Sequence, residues 1–204
     1  MTAGVLAADV QIPVSERGPS PRKVIVGYGF WLFLLSDIIL FSAFFAAYAV
    51  LADRTAGGPS GAQLFHCDNV LLETACLLFS SFACAMMGLA VGQRHRAWTV
   101  VGALLTFALG AAFLALELRE FAAMLGRGAG PDRSGFLSAF FALVGLHGLH
   151  VATGLAWLVV MMAQVFTLGW RPMVSYRLAC FSLFWHALDI VWIGVFTIVY
   201  LGAR

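Results

Sequence analysis

At 204 residues the chain is long enough for one domain, but its composition excludes an ordinary soluble one. Hydrophobic residues make up 62% and charged residues 11%, whereas soluble domains carry roughly 25% charged residues. The formal net charge of +2 is too small to indicate binding of nucleic acid. The composition therefore predicts an integral membrane protein.

In chain order, residues 1–23 combine charged side chains with prolines at positions 13, 19 and 21, which predicts a polar N-terminal tail. Residues 24–204 are predicted to form one transmembrane domain. Each of its apolar stretches is long enough to cross a bilayer, and they lie at about 24–51, 70–91, 97–121, 136–166 and 178–201. The predicted fold is all-α, a polytopic membrane protein with a bundle of five transmembrane helices.

The distribution of Lys and Arg predicts the orientation of this bundle. Seven of these residues belong to the N-terminal tail and to the connections 92–96 and 167–177, and five belong to the other side. Cytoplasmic segments carry the excess of positive charge in membrane proteins. We therefore expect a multi-pass protein of the bacterial cytoplasmic (inner) membrane, with its N-terminus in the cytoplasm and its C-terminus in the periplasm.

Five polar residues interrupt the apolar stretches near their middle. Asp37 lies in the first helix, His147 and His150 lie three apart in the fourth, and His186 and Asp189 lie in the fifth. Residues three apart share one helix face, and a rise of about 1.5 Å per residue places all five at similar depth. Ionisable groups at that depth normally face protein or enclosed water. They are the candidate functional residues, with lipid-linked or proton-linked roles.

Two chemical interpretations of these residues are open. Three histidines with two carboxylates could hold iron or zinc, and paired histidines could hold a haem. Alternatively, the groups hydrogen-bond between helices. Small residues beside the histidines (Gly145, Gly148, Ala152 and Gly154) let helices approach closely. Because close approach favours packing, we predict no metal or catalytic group in this chain.

The acidic residues divide into two groups. Asp37 is the only charged residue in its apolar stretch, so burial favours its neutral form. The neutral acid could take part in binding a proton or a lipid headgroup. Alternatively, it could donate a hydrogen bond to a neighbouring helix. Glu73, Glu117 and Glu120 lie at the predicted outer ends of their helices. We interpret these three as interfacial charges.

Three motifs carry a resemblance to a known family. They are FWL at 30–32 ahead of SD at 36–37, GLHGLH at 145–150, and FWHALDIVW at 184–192. In this order they resemble subunit III of the haem–copper oxidases, over about residues 24–204. The phrases TAGGPSG at 55–61 and GPDRSGFLSAFFALVG at 130–145 are most similar to the bo-type ubiquinol oxidase branch. Cytochrome c oxidase members usually have glutamate where Asp37 stands.

The resemblance implies a non-redox subunit of a proton-pumping terminal ubiquinol oxidase in aerobic respiration. It implies that haem and copper belong to a partner, subunit I, and that ubiquinol is the substrate of the complex. The chain would then support assembly, phospholipid binding and sustained proton uptake by subunit I, and would not be an enzyme alone.

Three alternatives accompany this reading. The first is subunit III of a cytochrome c oxidase, because other subunits choose the electron donor. The second is a bis-histidine membrane cytochrome. The third is a small transporter, which would more often show broken helices or internal repeats, and neither is evident in the sequence.

Overall fold

The computed structural model describes residues 22–57, 61 and 67–202. Most of the predicted polar tail at 1–23, and part of the connection between the first two apolar stretches, lie outside the described residues. The described part of the chain is helical and contains no strand. Its helices are α1 (Arg22–Leu51), α2 (Cys67–Gly92), α3 (Arg96–Gly126), α4 (Gly135–Leu168) and α5 (Pro172–Val195), the last continued by a π-helical turn at Phe196–Leu201.

The five-helix prediction is confirmed. All five helices are long and apolar enough to cross a membrane. Two of their ends differ from the apolar stretches: α3 continues to Gly126 instead of ending near 121, and α5 begins at Pro172 instead of near 178. The length of an apolar stretch indicates which part of the chain crosses the hydrocarbon core, whereas the hydrogen-bonded helix continues beyond that part. Pro172 occupies the first turn of α5, where a missing N–H is tolerated.

The start of α4 is fixed by a local cap. The backbone N–H of Leu137 donates to the hydroxyl of Ser134 over 3.2 Å, which satisfies one of the free donors of a helix N-terminus. Ahead of it, a turn closes with the N–H of Arg133 donating to the carbonyl of Gly130. This cap fixes the residue at which α4 begins.

Helices α2 and α3 pack along much of their length, α5 packs against α2 and α4, and α4 also contacts α1 and α3. By contrast, α1 contacts chiefly α4 and α5. Most of its apolar surface remains exposed, with Ile39 70% and Val50 75% accessible. A helix that is apolar on all sides suits a membrane or a partner, so α1 is the helix most available to lipid or to another subunit.

One large side chain on α5 contacts three other helices in the core. The indole of Trp185 on α5 lies between Gly110 on α3 and Gly154 on α4, and a Cβ added at either glycine would lie 2.9 Å from the ring. The indole N–H donates to the Ser80 hydroxyl on α2 over 3.0 Å. Ser80 in turn donates to the carbonyl of Thr106 on α3. Glycine at 110 and 154 is therefore required by the close approach of the helices.

Candidate functional site

Asp37 and His150 form a pair between α1 and α4. The Oδ1 atom of Asp37 lies 3.9 Å from Nε2 of His150, and both side chains are mostly buried, at 17–18% accessibility. The Nδ1 atom of His150 lies 2.8 Å from the carbonyl oxygen of Leu146. Because a carbonyl only accepts, Nδ1 carries a proton there. Nε2 is then the ring nitrogen that faces Asp37.

The distance decides what this pair can do. A separation of 3.9 Å is too long for a direct hydrogen bond, but it allows electrostatic attraction or one bridging water. A groove between α1 and α5 borders Asp37, lined also by Phe41 and Phe184, and its cavity volume is only about 10 Å³. This volume holds at most about one water. The pair is therefore suited to holding one proton or one small polar group.

His147 has different surroundings, although it is only three residues away. Its side chain is fully buried between the rings of Phe41, Phe113 and Trp192, at centroid distances of 6.3, 5.7 and 5.2 Å. Neither of its ring nitrogens has a hydrogen-bond partner among the described residues. His147 thus points into the bundle core, whereas His150 points toward α1.

His186 and Asp189 on α5 face α2. The Ser81 hydroxyl and Nδ1 of His186 are 2.8 Å apart, and Ser81 also lies beside Asp189. Nearby, the indole N–H of Trp192 donates to the Thr74 hydroxyl over 3.1 Å. The motif at 184–192 therefore attaches α5 to a polar face of α2.

The five predicted site residues do not form a single cluster. Asp37 and His150 make one group at α1 and α4, His186 and Asp189 make another at α2 and α5, and the aromatic rings enclose His147. Within the part of the chain that the structure describes, no three His, Cys, Asp or Glu side chains are grouped so as to hold a metal ion. The contacts instead resemble polar links between helices.

Sequence reasoning did not find the partners Thr74, Ser80 and Ser81. Thr74 and Ser81 are seven apart and lie within about 20° of each other around α2, so they share a face, whereas Ser80 is turned about 100° from Ser81. Polar residues on one face of an otherwise apolar helix are a usable sign of contact with another membrane helix.

The glutamates occupy positions that the interfacial interpretation did not foresee. Glu73 and Glu117 are buried, at 1% and 2% accessibility, and not exposed at the ends of the helices. The carboxylate of Glu117 rests where a side chain of Gly148 would lie, 2.6 Å from its added Cβ. Both oxygens of Glu73 and Oε2 of Glu117 lack partners among the described residues. Glu120 accepts a 3.4 Å hydrogen bond from the Tyr200 hydroxyl.

Comparison with known proteins gives consistent matches. The family model described as cytochrome c oxidase subunit III matches residues 15–203. The chain is 52% identical to cytochrome bo(3) ubiquinol oxidase subunit 3 of Pseudomonas aeruginosa (85% of this chain, 83% of that protein). It is 42% identical to quinol oxidase subunit 3 of Bacillus subtilis (93% and 92%) and 40% identical to cytochrome c oxidase subunit 3 of Bacillus sp. strain PS3 (85% and 84%). All three names denote the third subunit of an oxidase.

Proposed function

The chain belongs to the cytochrome c oxidase subunit III family, and we propose that it is the third, non-redox subunit of a terminal ubiquinol oxidase. The observation that carries this proposal is the 52% identity, over most of both chains, to a protein named as a ubiquinol oxidase subunit. A cytochrome c oxidase subunit is the less favoured alternative, because the relative with that name is 40% identical.

The redox chemistry of the complex is assigned to its other subunits. Haem and copper would belong to subunit I, and ubiquinol would be oxidised there. This assignment is supported by the polar groups of the described residues, which face one another across helices and are not collected in a ligand set. The chain would take part in the oxidoreductase without catalysing a step.

The role proposed for this chain is to support assembly, lipid retention and sustained proton uptake by subunit I. The exposed apolar surface of α1 supports contact with lipid or with a neighbouring subunit. Asp37 and His150, which join α1 to the rest of the bundle, would hold that helix in place through electrostatic attraction or one bridging water. His186 and Asp189 would hold α5 against α2 through Ser81.

The proposed location is the bacterial cytoplasmic membrane, with the N-terminus inside and the C-terminus in the periplasm. The excess of Lys and Arg on the side of the 92–96 and 167–177 connections supports this orientation. The division into a tail at 1–23 and one transmembrane domain at 24–204 is part of the same proposal.

Purification of the tagged chain from its native membrane tests the function. We expect a larger haem-containing and copper-containing subunit to co-purify, and the complex to consume oxygen with a short-chain ubiquinol but not with reduced cytochrome c. Oxygen consumption with reduced cytochrome c alone would favour the alternative. A haem that stayed with the chain after separation of the other subunits would contradict the non-redox assignment.

A further inference from the structure

Two buried carboxyl groups lie between α2 and α3, away from the pair formed by Asp37 and His150. Glu73 on α2 and Glu117 on α3 are 1% and 2% accessible, and they lie within electrostatic range of each other. Both oxygens of Glu73 and Oε2 of Glu117 are inaccessible and have no hydrogen-bond partner among the described residues. The inference drawn from them goes beyond the proposed function, which assigns no role to either residue.

The surroundings of these two groups carry no balancing positive charge. The side chains within electrostatic range of Glu73 are neutral or negative, and they are Cys76 on α2, Glu117 and Glu120 on α3, and Tyr200 at the end of α5. Helix α4 presents the uncharged Gly148 to Glu117. Within the part of the chain that the structure describes, neither Glu73 nor Glu117 forms an ion pair. An isolated buried carboxylate is so costly that the group normally takes up a proton instead, so both are expected to be neutral acids.

Positive charge lies instead around a neighbouring cavity of about 260 Å³. Glu73, Arg119 and Arg127 all contribute to its lining. The two arginines are exposed, and neither forms an ion pair among the residues that the structure covers. Glu73 lines the cavity with atoms other than its carboxyl oxygens, because those are inaccessible. A change of side-chain rotamer is therefore the movement that would bring this carboxyl group to the arginines.

The cavity lies where protons can reach it from water. Helices α2 and α3 contain 26 and 31 residues, or about 39 and 46 Å at 1.5 Å per residue. Both are longer than the hydrocarbon core of about 30 Å, so their ends lie beyond it. Glu73 lies six residues, or about 9 Å, from the start of α2. A volume of about 260 Å³ holds several water molecules, which can carry a proton between Glu73 and the aqueous phase.

We propose that Glu73 is a proton-binding residue that switches between two positions at this end of the bundle. With a proton bound, its neutral carboxyl group keeps the buried position between α2 and α3. When the proton passes to water in the cavity, the carboxylate turns into the cavity and pairs with Arg119 and Arg127 through charge-assisted hydrogen bonds. Glu117 does not line the cavity and stays neutral in both positions. In the proposed orientation this end faces the periplasm, so the position of Glu73 follows the periplasmic pH.

The test uses infrared spectroscopy of the purified oxidase complex that contains this chain. A neutral carboxyl group has a C=O stretching band that a carboxylate lacks, and the band shifts when H₂O is replaced by D₂O. Glu73→Gln has nearly the same shape as wild type but cannot ionise. The wild-type spectrum minus the spectrum of this variant therefore isolates the band of Glu73, and the band is followed as the pH is raised.

A double variant, Arg119→Gln with Arg127→Gln, removes the cations that receive the carboxylate. Because both side chains are exposed, this variant keeps the test valid if Glu73→Gln folds poorly. The change in its spectrum between neutral and alkaline pH is then compared directly with that of wild type. Arg133→Gln, in the exposed connection after α3 and outside the cavity lining, is the matched control for the loss of positive charge.

We expect the wild-type complex to show the band of Glu73 at neutral pH, where an exposed glutamic acid, with its usual pKa of about 4.3, is ionised. The band should disappear as the pH is raised. At the pH where half of the wild-type band is lost, the ratio of ionised to neutral Glu73 should be lower by about tenfold or more in the double arginine variant, because a neighbouring cation favours the carboxylate by at least this factor. Arg133→Gln should behave like wild type.

Absence of the Glu73 band from wild type at neutral pH would overturn the proposal, as would a band that no increase in pH removes. The same pH dependence in wild type and in the double arginine variant would also overturn it, because the carboxylate would then not reach the arginines. An equally large effect of Arg133→Gln would show a general effect of surface charge and would have the same consequence. None of these outcomes depends on the electron donor of the complex, so they leave the proposed function of the chain unaffected.

Discussion

Replacing Gly154 by alanine tests the packing of the bundle around Trp185. The new Cβ would lie 2.9 Å from Cζ3 of the indole and 3.1 Å from Cε1 of Phe184. Both are parts of rigid rings, and the indole is held from the other side by Gly110 and by its hydrogen bond to Ser80. Overpacking of this kind costs about 1–3 kcal/mol, and we expect the free energy of unfolding to fall by that amount.

The matched control is Gly88→Ala on α2. Gly88 is exposed and an added Cβ there meets nothing within 4 Å. Alanine is favoured over glycine in a helix by up to about 1 kcal/mol, so this variant should be as stable as wild type or slightly more stable. Reversible unfolding in mixed micelles measures both variants under the same conditions.

A double variant separates steric conflict from any general effect on α4. In the Trp185→Phe background the smaller ring leaves room for the new methyl group, so Gly154→Ala should cost less than it does beside tryptophan. Residues in direct contact typically show coupling energies of about 0.5–3 kcal/mol. The packing argument would be refuted if Gly154→Ala cost no more than Gly88→Ala, or if its cost were the same beside tryptophan and phenylalanine.

Four other predictions concern the polar residues and the topology. Asp37→Asn should leave the initial rate of quinol oxidation near normal. Asp37→Leu should instead reduce the amount of retained phospholipid and shorten the time for which the complex stays active. Loss of the initial rate or of proton pumping in Asp37→Asn would show that the acid is a working proton site. Ser81→Ala should destabilise the chain by about 0.6 kcal/mol. Ser42→Ala, whose hydroxyl bonds the Ile38 carbonyl of its own helix, should change stability less in the same unfolding assay. Elemental analysis and a reduced-minus-oxidised spectrum of the separated subunit should both be blank, and stoichiometric iron lost on replacing His147 would reverse this expectation. Reporter fusions in the 92–96 and 167–177 connections should report the cytoplasm, and a periplasmic signal from either would reverse the orientation.

The number of helices could be predicted from the sequence because uncharged stretches of membrane-spanning length are a property of the local chain. The ends of the helices could be predicted less closely from the sequence. Pro172 starts α5 within a segment that contains Trp170, Arg171 and Arg177, and counting apolar residues places that segment in a loop. Helical hydrogen bonding continues through polar residues once a helix has left the hydrocarbon.

The partners of the polar residues could not be predicted, because they depend on how each helix is rotated about its axis. The spacing of His147 and His150 places them on one face, yet the 60° between them directs one to the aromatic core and the other to Asp37. In the same way, Glu117 is buried because Gly148 on another helix leaves space for its carboxylate. Depth along a helix can be estimated from sequence position, but contact across helices requires the packed bundle.

The π-helical turn at Phe196–Leu201 changes the phase of the end of α5. Its hydrogen bonds span five residues, as in the bond from the N–H of Gly202 to the carbonyl of Thr197, so the turn holds one more residue than an α-helical turn. In a regular α-helix, Trp192 and Tyr200 are eight residues apart and would point about 80° apart around the helix axis. Their ring centroids nevertheless lie only 6.2 Å apart. Deleting one residue from this turn would therefore restore a regular helix and leave the later side chains close to their present directions, whereas a regular α-helix of unchanged length would rotate them by about 100°. The tyrosine that meets Glu120 is thus placed by a local change of helical period, and a regular α-helix of the same sequence would present a different residue there.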